Sequence, residues 1–222
     1  MCGRFAITLP DDAMAQLFAA APANDLPPVP NYNVCPTTKI HVVFSEDGQR
    51  RLVPMRWGFI PHWYKAPNNG PLLINARAET IAEKPAFRAA CRARRCLIPA
   101  DGFYEWYRPE GIEKQPWFIR PVGEGPMVMA GIWQDWEADG TRVRSCSIVT
   151  TEATRGQMAD IHHRIPVLLG ADDWGKWLGE EGHGAATLMR EADPETLRFY
   201  KVDKAVNSNR AQGAELIEPV DD

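Results

Sequence analysis

Apolar and polar residues alternate over short stretches along most of this chain, a period of two that predicts strands more often than helices. Residues 3–9 read as a first short strand. Met14, Leu17 and Phe18 then fall on one face of a helix that Asp11 or Asp12 can cap. Residues 21–38 hold Pro22, Pro27, Pro28, Pro30 and Pro36, which predicts an irregular surface loop. Residues 39–45 and 51–57 predict two strands joined at Glu46-Asp47-Gly48-Gln49, a hairpin signal. A strand over 72–74 leads into Asn75, and residues 84–95 predict a basic helix with Phe87, Ala90 and Cys91 inward. Residues 96–107 are strand-like, broken at Asp101-Gly102. Strands follow over 115–120, 127–136 and 142–151, with a turn at Ala138-Asp139-Gly140. A short helix over 151–160 precedes a buried strand over 167–169. Beyond it a Trp-rich helix over 172–178, a short helix over 185–191 and a tail read as periphery. There is no internal repeat and no domain boundary, so residues 1–222 are expected to form a single domain.

Composition narrows the class. At 222 residues with 45% apolar side chains, the chain can bury a sizeable core. It has no apolar run of membrane-spanning length and no secretory leader pattern. Five cysteines without a repeating spacing argue against a secreted disulfide framework. A cytoplasmic, nucleoid-associated protein is the expectation. The net charge of −4 speaks against a nucleic-acid binder until its distribution is considered. Arg4, Arg50, Arg51, Arg56, Arg77, Arg88, Arg92, Arg94 and Arg95 gather in the first half, while acids gather elsewhere. One basic face on an acidic body would hold a phosphate backbone, and a solvated arginine face fits the charges equally well.

Four stretches carry candidate chemistry. Removal of Met1 would leave Cys2 with a free α-amine and a thiol, groups that titrate near ~8 and ~8.5 in model peptides. Such a pair can attack one aldehyde carbon in succession, giving an imine and then a thiazolidine ring. Position alone favours an ordinary cysteine in a frayed terminus. In Phe103-Tyr104-Glu105-Trp106-Tyr107, the period of two puts Glu105 between aromatics, a setting that raises a carboxyl pKa and suits a general acid or base. A structural ion pair with an arginine fits as well. Ile161-His162-His163-Arg164-Ile165-Pro166 sets a histidine in a loop closed by proline. Trp57, Phe59, Trp63 and Tyr64 suit base stacking, although at least half of them are expected in the core.

Met-Cys-Gly-Arg-Phe at 1–5, Asn-Ala-Arg-Ala-Glu-Thr at 75–80, Asp-Gly-Phe-Tyr-Glu-Trp at 101–106 and Ile-His-His-Arg-Ile-Pro at 161–166 resemble, in order and spacing, the SRAP family of abasic-site cross-linking proteins. Tyr32-Asn33-Val34-Cys35-Pro36, Trp57-Gly58-Phe59-Ile60-Pro61 and Gln212-Gly213-Ala214-Glu215-Leu216-Ile217 extend the likeness over nearly the whole chain. The resemblance implies an α+β fold, with mostly antiparallel strands curled into a barrel-like core and helices around it. It also implies a covalent shield of abasic sites in single-stranded DNA, formed through Cys2 after loss of Met1, with lyase-like and autoproteolytic character. Carried over, Cys2 is the nucleophile, Asn75 holds the N-terminus, Glu105 shuttles protons, and His162 assists sugar-ring opening and reversal. Arg4, Arg77 and Arg164 match positions that touch DNA phosphates, with Trp106 near the bases. No cofactor or metal is implied, and a monomer is the default. The second histidine at 163 is a departure, and His162 is chosen by alignment with Ile161 and Arg164. Residues 206–210 match loosely and receive no catalytic role, and Cys35 reads as structural.

Two other readings stay open on sequence alone. One is a cysteine-type peptidase built from Cys2, His162 and Asn75, in its narrow form cleaving only its own Met1–Cys2 bond. The other is a non-covalent single-strand binding module whose affinity survives loss of Cys2. A metal site from His162, His163 and a cysteine is remote, since neither CxxC nor HxxxH spacing is present.

Overall fold

The protein is described by a computed structural model covering residues 2–111 and 113–220. Two hairpins start the main sheet. Strand β4 (Lys39–Glu46) returns as β5 (Gln49–Trp57), and β10 (Met127–Ala138) returns as β11 (Thr141–Glu152). Each turn is a two-residue Asp-Gly loop with both residues left-handed: Asp47 at φ 52° and Gly48 at 75°, Asp139 at 50° and Gly140 at 73°. This turn matches the natural twist of paired strands, which is why Asp-Gly between alternating runs is a strong hairpin signal. With β7 (Arg95–Ala100) between β10 and β4, and β5 pairing in parallel with β11 at Arg56 and Trp57, strands β11, β10, β7, β4 and β5 close into a five-stranded barrel. The fold is α+β, as the resemblance implied.

The second sheet leaves the barrel at one corner. After β7 the chain passes Asp101 and continues as β8 (Gly102–Tyr107) in a sheet ordered β13 (Leu197–Lys201), β9 (Gln115–Pro121), β8, β1 (Phe5–Ile7) and β3 (Asn31–Val34). Gly102 is required there by close approach. A Cβ at this position would lie 2.6 Å from both the Ile119 carbonyl oxygen and the Phe118 ring. Both faces of β8 and β1 are covered. Phe5, Ile7 and Phe103 join the main apolar core, while Ala6 and Tyr104 join a smaller one with Phe118, Val202, Val206 and Leu216.

Several elements differ from the sequence expectation. Helix α1 (Asp11–Phe18) begins after Pro10 with no side-chain cap, and Asp11 instead meets the buried His41 Nε2 at 3.0 Å. Leu17 is 43% exposed, while Met14 and Phe18 are buried. The proline-rich stretch is not wholly irregular, since it contains β2 (Ala20–Pro22) and β3, short edge strands that pair with β5 and β1. The strand expected over 72–74 is displaced to β6 (Asn75–Arg77), paired in parallel with β11. Helix α2 is only Arg88–Ala93, and the helix expected over 151–160 is α3 (Gly156–Ile161), because β11 runs on to Glu152. The next strand is β12 (Arg164–Pro166) rather than 167–169. Helix α4 (Trp174–Leu178) buries both tryptophans, and a 3-10 turn (Ala185–Leu188) replaces the helix expected after it. The tail is not periphery: β13 pairs along β9, and Val206 and Leu216 are buried in the smaller core. Among the described residues, no helix is long and apolar enough to cross a membrane.

Candidate functional site

The N-terminal segment does not fray. Tyr104 N–H donates to the Arg4 carbonyl at 2.9 Å, extending the β1–β8 pairing toward the terminus, and Cys2 is 0% exposed within the main core. Burial pushes the Cys2 thiol well up, and the Glu105 carboxylate adds to that rise. Glu105 itself stands on β8, on the same face as Phe103, and is 2% exposed. Burial raises its pKa, because a carboxylate removed from water favours its neutral form.

His162 faces this acid. It caps the end of α3, where its N–H donates to the Met158 carbonyl at 2.8 Å, and its extended backbone leads into β12. Its Nδ1 accepts from the Arg164 backbone N–H at 3.0 Å, which places the ring proton on Nε2. Nε2 stands 4.0 Å from Glu105 Oε1. Burial, reinforced by the neighbouring His163, lowers the His162 pKa to about 4, so the ring is neutral near pH 7. His163 stacks on it at 4.4 Å but is exposed, so the geometry distinguishes the two histidines.

Asn75 opens β6, opposite Ile148 of β11. Its Nδ2 donates to the Ile74 carbonyl at 3.1 Å, whereas its buried Oδ1 has no donor among the described residues. Four residues on, Glu79 receives both ends of the Arg164 guanidinium, at 3.0 Å and 2.9 Å. Arg164 also donates to the Thr150 carbonyl (2.7 Å) and hydroxyl (3.1 Å), and its side chain is only 4% exposed. Sequence reasoning quoted Glu79 within a motif but gave it no part. Its place four residues after Asn75 in an arginine-rich chain was the available signal.

The residues expected on DNA are thus differently situated. Arg77 is exposed at the end of β6, with no ion pair among the described residues. Arg4 Nη1 donates to Asn33 Oδ1 at 2.6 Å and to the Val206 carbonyl at 2.9 Å, and its guanidinium lies 5.8 Å from the Trp106 ring centre. Trp106 Nε1 donates to Asn207 Oδ1 at 2.6 Å. Asn33 Nδ2 holds the carbonyls of Ser208 and Ala211. The segment around 206–211, given no role from sequence, therefore braces both Arg4 and Trp106. Half-buried Cys35 donates to the Asn33 carbonyl at 3.3 Å beside it. Much of the expected basic face is engaged within the protein. Arg50 pairs with Glu180, Arg51 with Glu46, and Arg56, Arg94 and Arg95 donate to backbone carbonyls. Of the aromatic run, Trp57 and Phe59 are core, while Trp63 is 50% exposed. Among the described residues, no three of His, Cys, Asp or Glu stand close enough to hold a metal ion.

A family model described as SOS response associated peptidase (SRAP) matches residues 1–209. The chain belongs to the SRAP family. Its curated SRAP relatives include the abasic site processing protein YoaM of Bacillus subtilis, 36% identical with 98% of each chain covered. YedK of Escherichia coli, also an abasic site processing protein, is 35% identical over 99% of this chain and all of its own. The abasic site processing protein HMCES of Rattus norvegicus is 32% identical, matching all of this chain and 76% of that protein. A solved protein from Bacteroides thetaiotaomicron shares the fold with a TM-score of 0.86 at 25% identity, covering 99% of this chain and 100% of its own.

Proposed function

We propose that this protein processes abasic sites in single-stranded DNA by capturing the lesion covalently on Cys2 once Met1 has been removed. The observation that carries this reading is the burial of Cys2 beside Glu105, itself buried and 4.0 Å from His162. Family membership and the abasic site processing relatives support the substrate class.

His162, neutral and carrying its proton on Nε2, gives that proton to the sugar ring oxygen as the hemiacetal C–O bond breaks, and recovers a proton from the anomeric hydroxyl as that oxygen becomes the aldehyde carbonyl. The neutral Cys2 amine adds to the aldehyde carbon, and the carbonyl oxygen takes a proton to give a carbinolamine. Glu105, whose neutral form burial favours, protonates the hydroxyl, which leaves as water and yields a protonated imine. The thiol then gives its proton to the Glu105 carboxylate, and sulfur bonds to the carbon of the protonated imine, whose C=N electrons return to nitrogen to close a neutral thiazolidine. The net change is protein plus DNA minus one water. The buried Oδ1 of Asn75, without a donor among the described residues, supports its assignment as the acceptor for the Cys2 amine, a neutral partner that places no charge beside it. Arg77, with Arg4 beside Trp106, is assigned to the strand's phosphates and bases. The raised Cys2 thiol disfavours a general thiol peptidase, which needs a thiolate at neutral pH.

The test is intact mass spectrometry of the mature protein before and after incubation with an abasic single-stranded oligonucleotide. A denaturation-resistant species one water lighter than the sum is expected. Cys2→Ser is expected to leave at most a labile imine, and an equally stable adduct from that variant would refute ring closure.

A further inference from the structure

The geometry points to His163, the second histidine of the 161–166 segment, as a stacking platform for the nucleobase that flanks the lesion. The protein thereby senses which base stands next to an abasic site. This inference rests on the covalent-capture reading given above and adds a base contact to it. His163 and His162 lie face to face, with ring centroids 4.4 Å apart and planes 22° from parallel. The inner ring, His162, is fixed by the Arg164 N–H on Nδ1 and stands 4.0 Å from Glu105. The outer ring belongs to an exposed residue and makes no hydrogen bond or ion pair among the described residues. The backbone beneath it is held as well. The His163 carbonyl accepts from the Ala153 N–H at 3.0 Å, and Arg164 follows at once in β12, opposite Glu152 of β11.

A ring anchored through its backbone and its inner face loses little freedom when a ligand covers it, so the contact costs little to make. Imidazole is flat and aromatic, and unpaired bases stack on such side chains. A sugar engaged at His162 carries its flanking nucleotides one backbone step away. The abasic position itself has no base on which they can stack. The outer face of His163, one ring beyond His162, supplies the missing partner. Stacking strength follows the size of the base, so a flanking purine gains more than a flanking pyrimidine. An exposed histidine has a competing use as a phosphate contact, and that contact is indifferent to the base.

The test is a double-mutant cycle on the mature protein. One arm is His163→Ala. The other removes the flanking base, on the 5′ or the 3′ side, by placing a second tetrahydrofuran nucleotide next to the lesion. Affinity is read on a strand whose lesion is itself a tetrahydrofuran, which has no aldehyde and cannot cross-link. With a flanking purine, His163→Ala is expected to weaken binding about tenfold. With that base removed on the coupled side, variant and wild type should bind alike, and a flanking pyrimidine should give a smaller loss. His163→Phe keeps the flat face without the ring nitrogens and should retain the purine preference. A loss that persists without flanking bases and is shared by His163→Phe would mark a phosphate contact and overturn the proposal. So would slower cross-linking at unchanged affinity whatever the flanking base, the behaviour of a residue that only orients His162. Wild-type affinity that ignores the base on both sides would overturn it too. Absence of any adduct from a true abasic strand, with the coupling intact, would sink the covalent reading alone.

Discussion

Glu105 carries a conflict between stability and chemistry that a single substitution exposes. Its folded pKa is raised by burial, so the folded state penalises the carboxylate at pH values above the ordinary glutamate range. Glu105→Gln removes that penalty and is expected to raise the melting temperature by about 2–4 °C, as a gain of about 1 kcal/mol does in a domain of this size. Cross-linking should meanwhile fall by about a hundredfold or more, the usual scale of a lost general acid, with strand affinity preserved. Equal losses of binding and cross-linking would remove its acid–base role. His162 and Glu79 set the acid limit of stability. The His162 pKa is lowered to about 4, so the unfolded chain takes up its proton first and stability falls as pH drops from about 6.5 toward 4. For Glu79, burial acts upward but the Arg164 guanidinium and backbone N–H groups prevail and hold the carboxyl at about 2. Its contribution is present above the ordinary glutamate range and is lost as pH falls from about 4.5 toward 2. Urea unfolding at stepped pH is expected to show both phases. The upper phase should shrink in His162→Gln and the lower in Glu79→Gln, with the buried His41 keeping part of the first and Asp135, Glu180 and Glu191 part of the second.

At the scale of elements, the hairpins, the corner at Gly102 and the strand bearing Glu105 were legible because alternation and Asp-Gly turns are local signals. The partners of the short edge strands were not. β2, β3 and β6 span only three or four residues, and each is made a strand by a neighbour far away in sequence. Cys2, Glu105 and His162 were named from motif order, but no local pattern reported that Arg164 faces inward or that the tail matters. The bracing of the tail depends on Asn33, a buried side chain whose oxygen takes Arg4 and whose nitrogen takes two carbonyls of the segment 208–211. Asn33→Ala leaves these groups unsatisfied and is expected to cost about 1–3 kcal/mol. Hydrogen exchange is the direct readout. Amides over 204–217 should lose protection while those of the barrel strands keep theirs, and uniform protection across the tail would show that Asn33 is not its anchor.

For the whole molecule, the decisive quantity is how many of its arginines remain available to an anionic strand. The sequence pattern allowed a face built from Arg4, Arg50, Arg51, Arg56, Arg77, Arg88, Arg92, Arg94 and Arg95. In the fold, ion pairs and carbonyls engage Arg50, Arg51, Arg56, Arg94 and Arg95, and Arg4 is half-buried against Trp106. Arg77, Arg88 and Arg92 are exposed, with no ion pair among the described residues. A single strand that engages these three cations and Arg4 should bind with a log–log salt slope of about −3, whereas nine would give about −6. On a body of net charge −4, the shallow slope also means weak binding to undamaged strands, so retention at a lesion would come from the covalent bond. Arg77→Ala is expected to reduce the slope by about 0.7 and weaken binding to every strand alike. Arg95→Ala should lower thermal stability and leave the slope alone, because its guanidinium holds the backbone of α2 and the Trp177 carbonyl. A measured slope steeper than about −4 would require further exposed cations such as Arg108 or Arg210 to join the contact, or the internal ion pairs to open on binding. In the latter case Glu180→Gln, which frees Arg50, would steepen the slope no further.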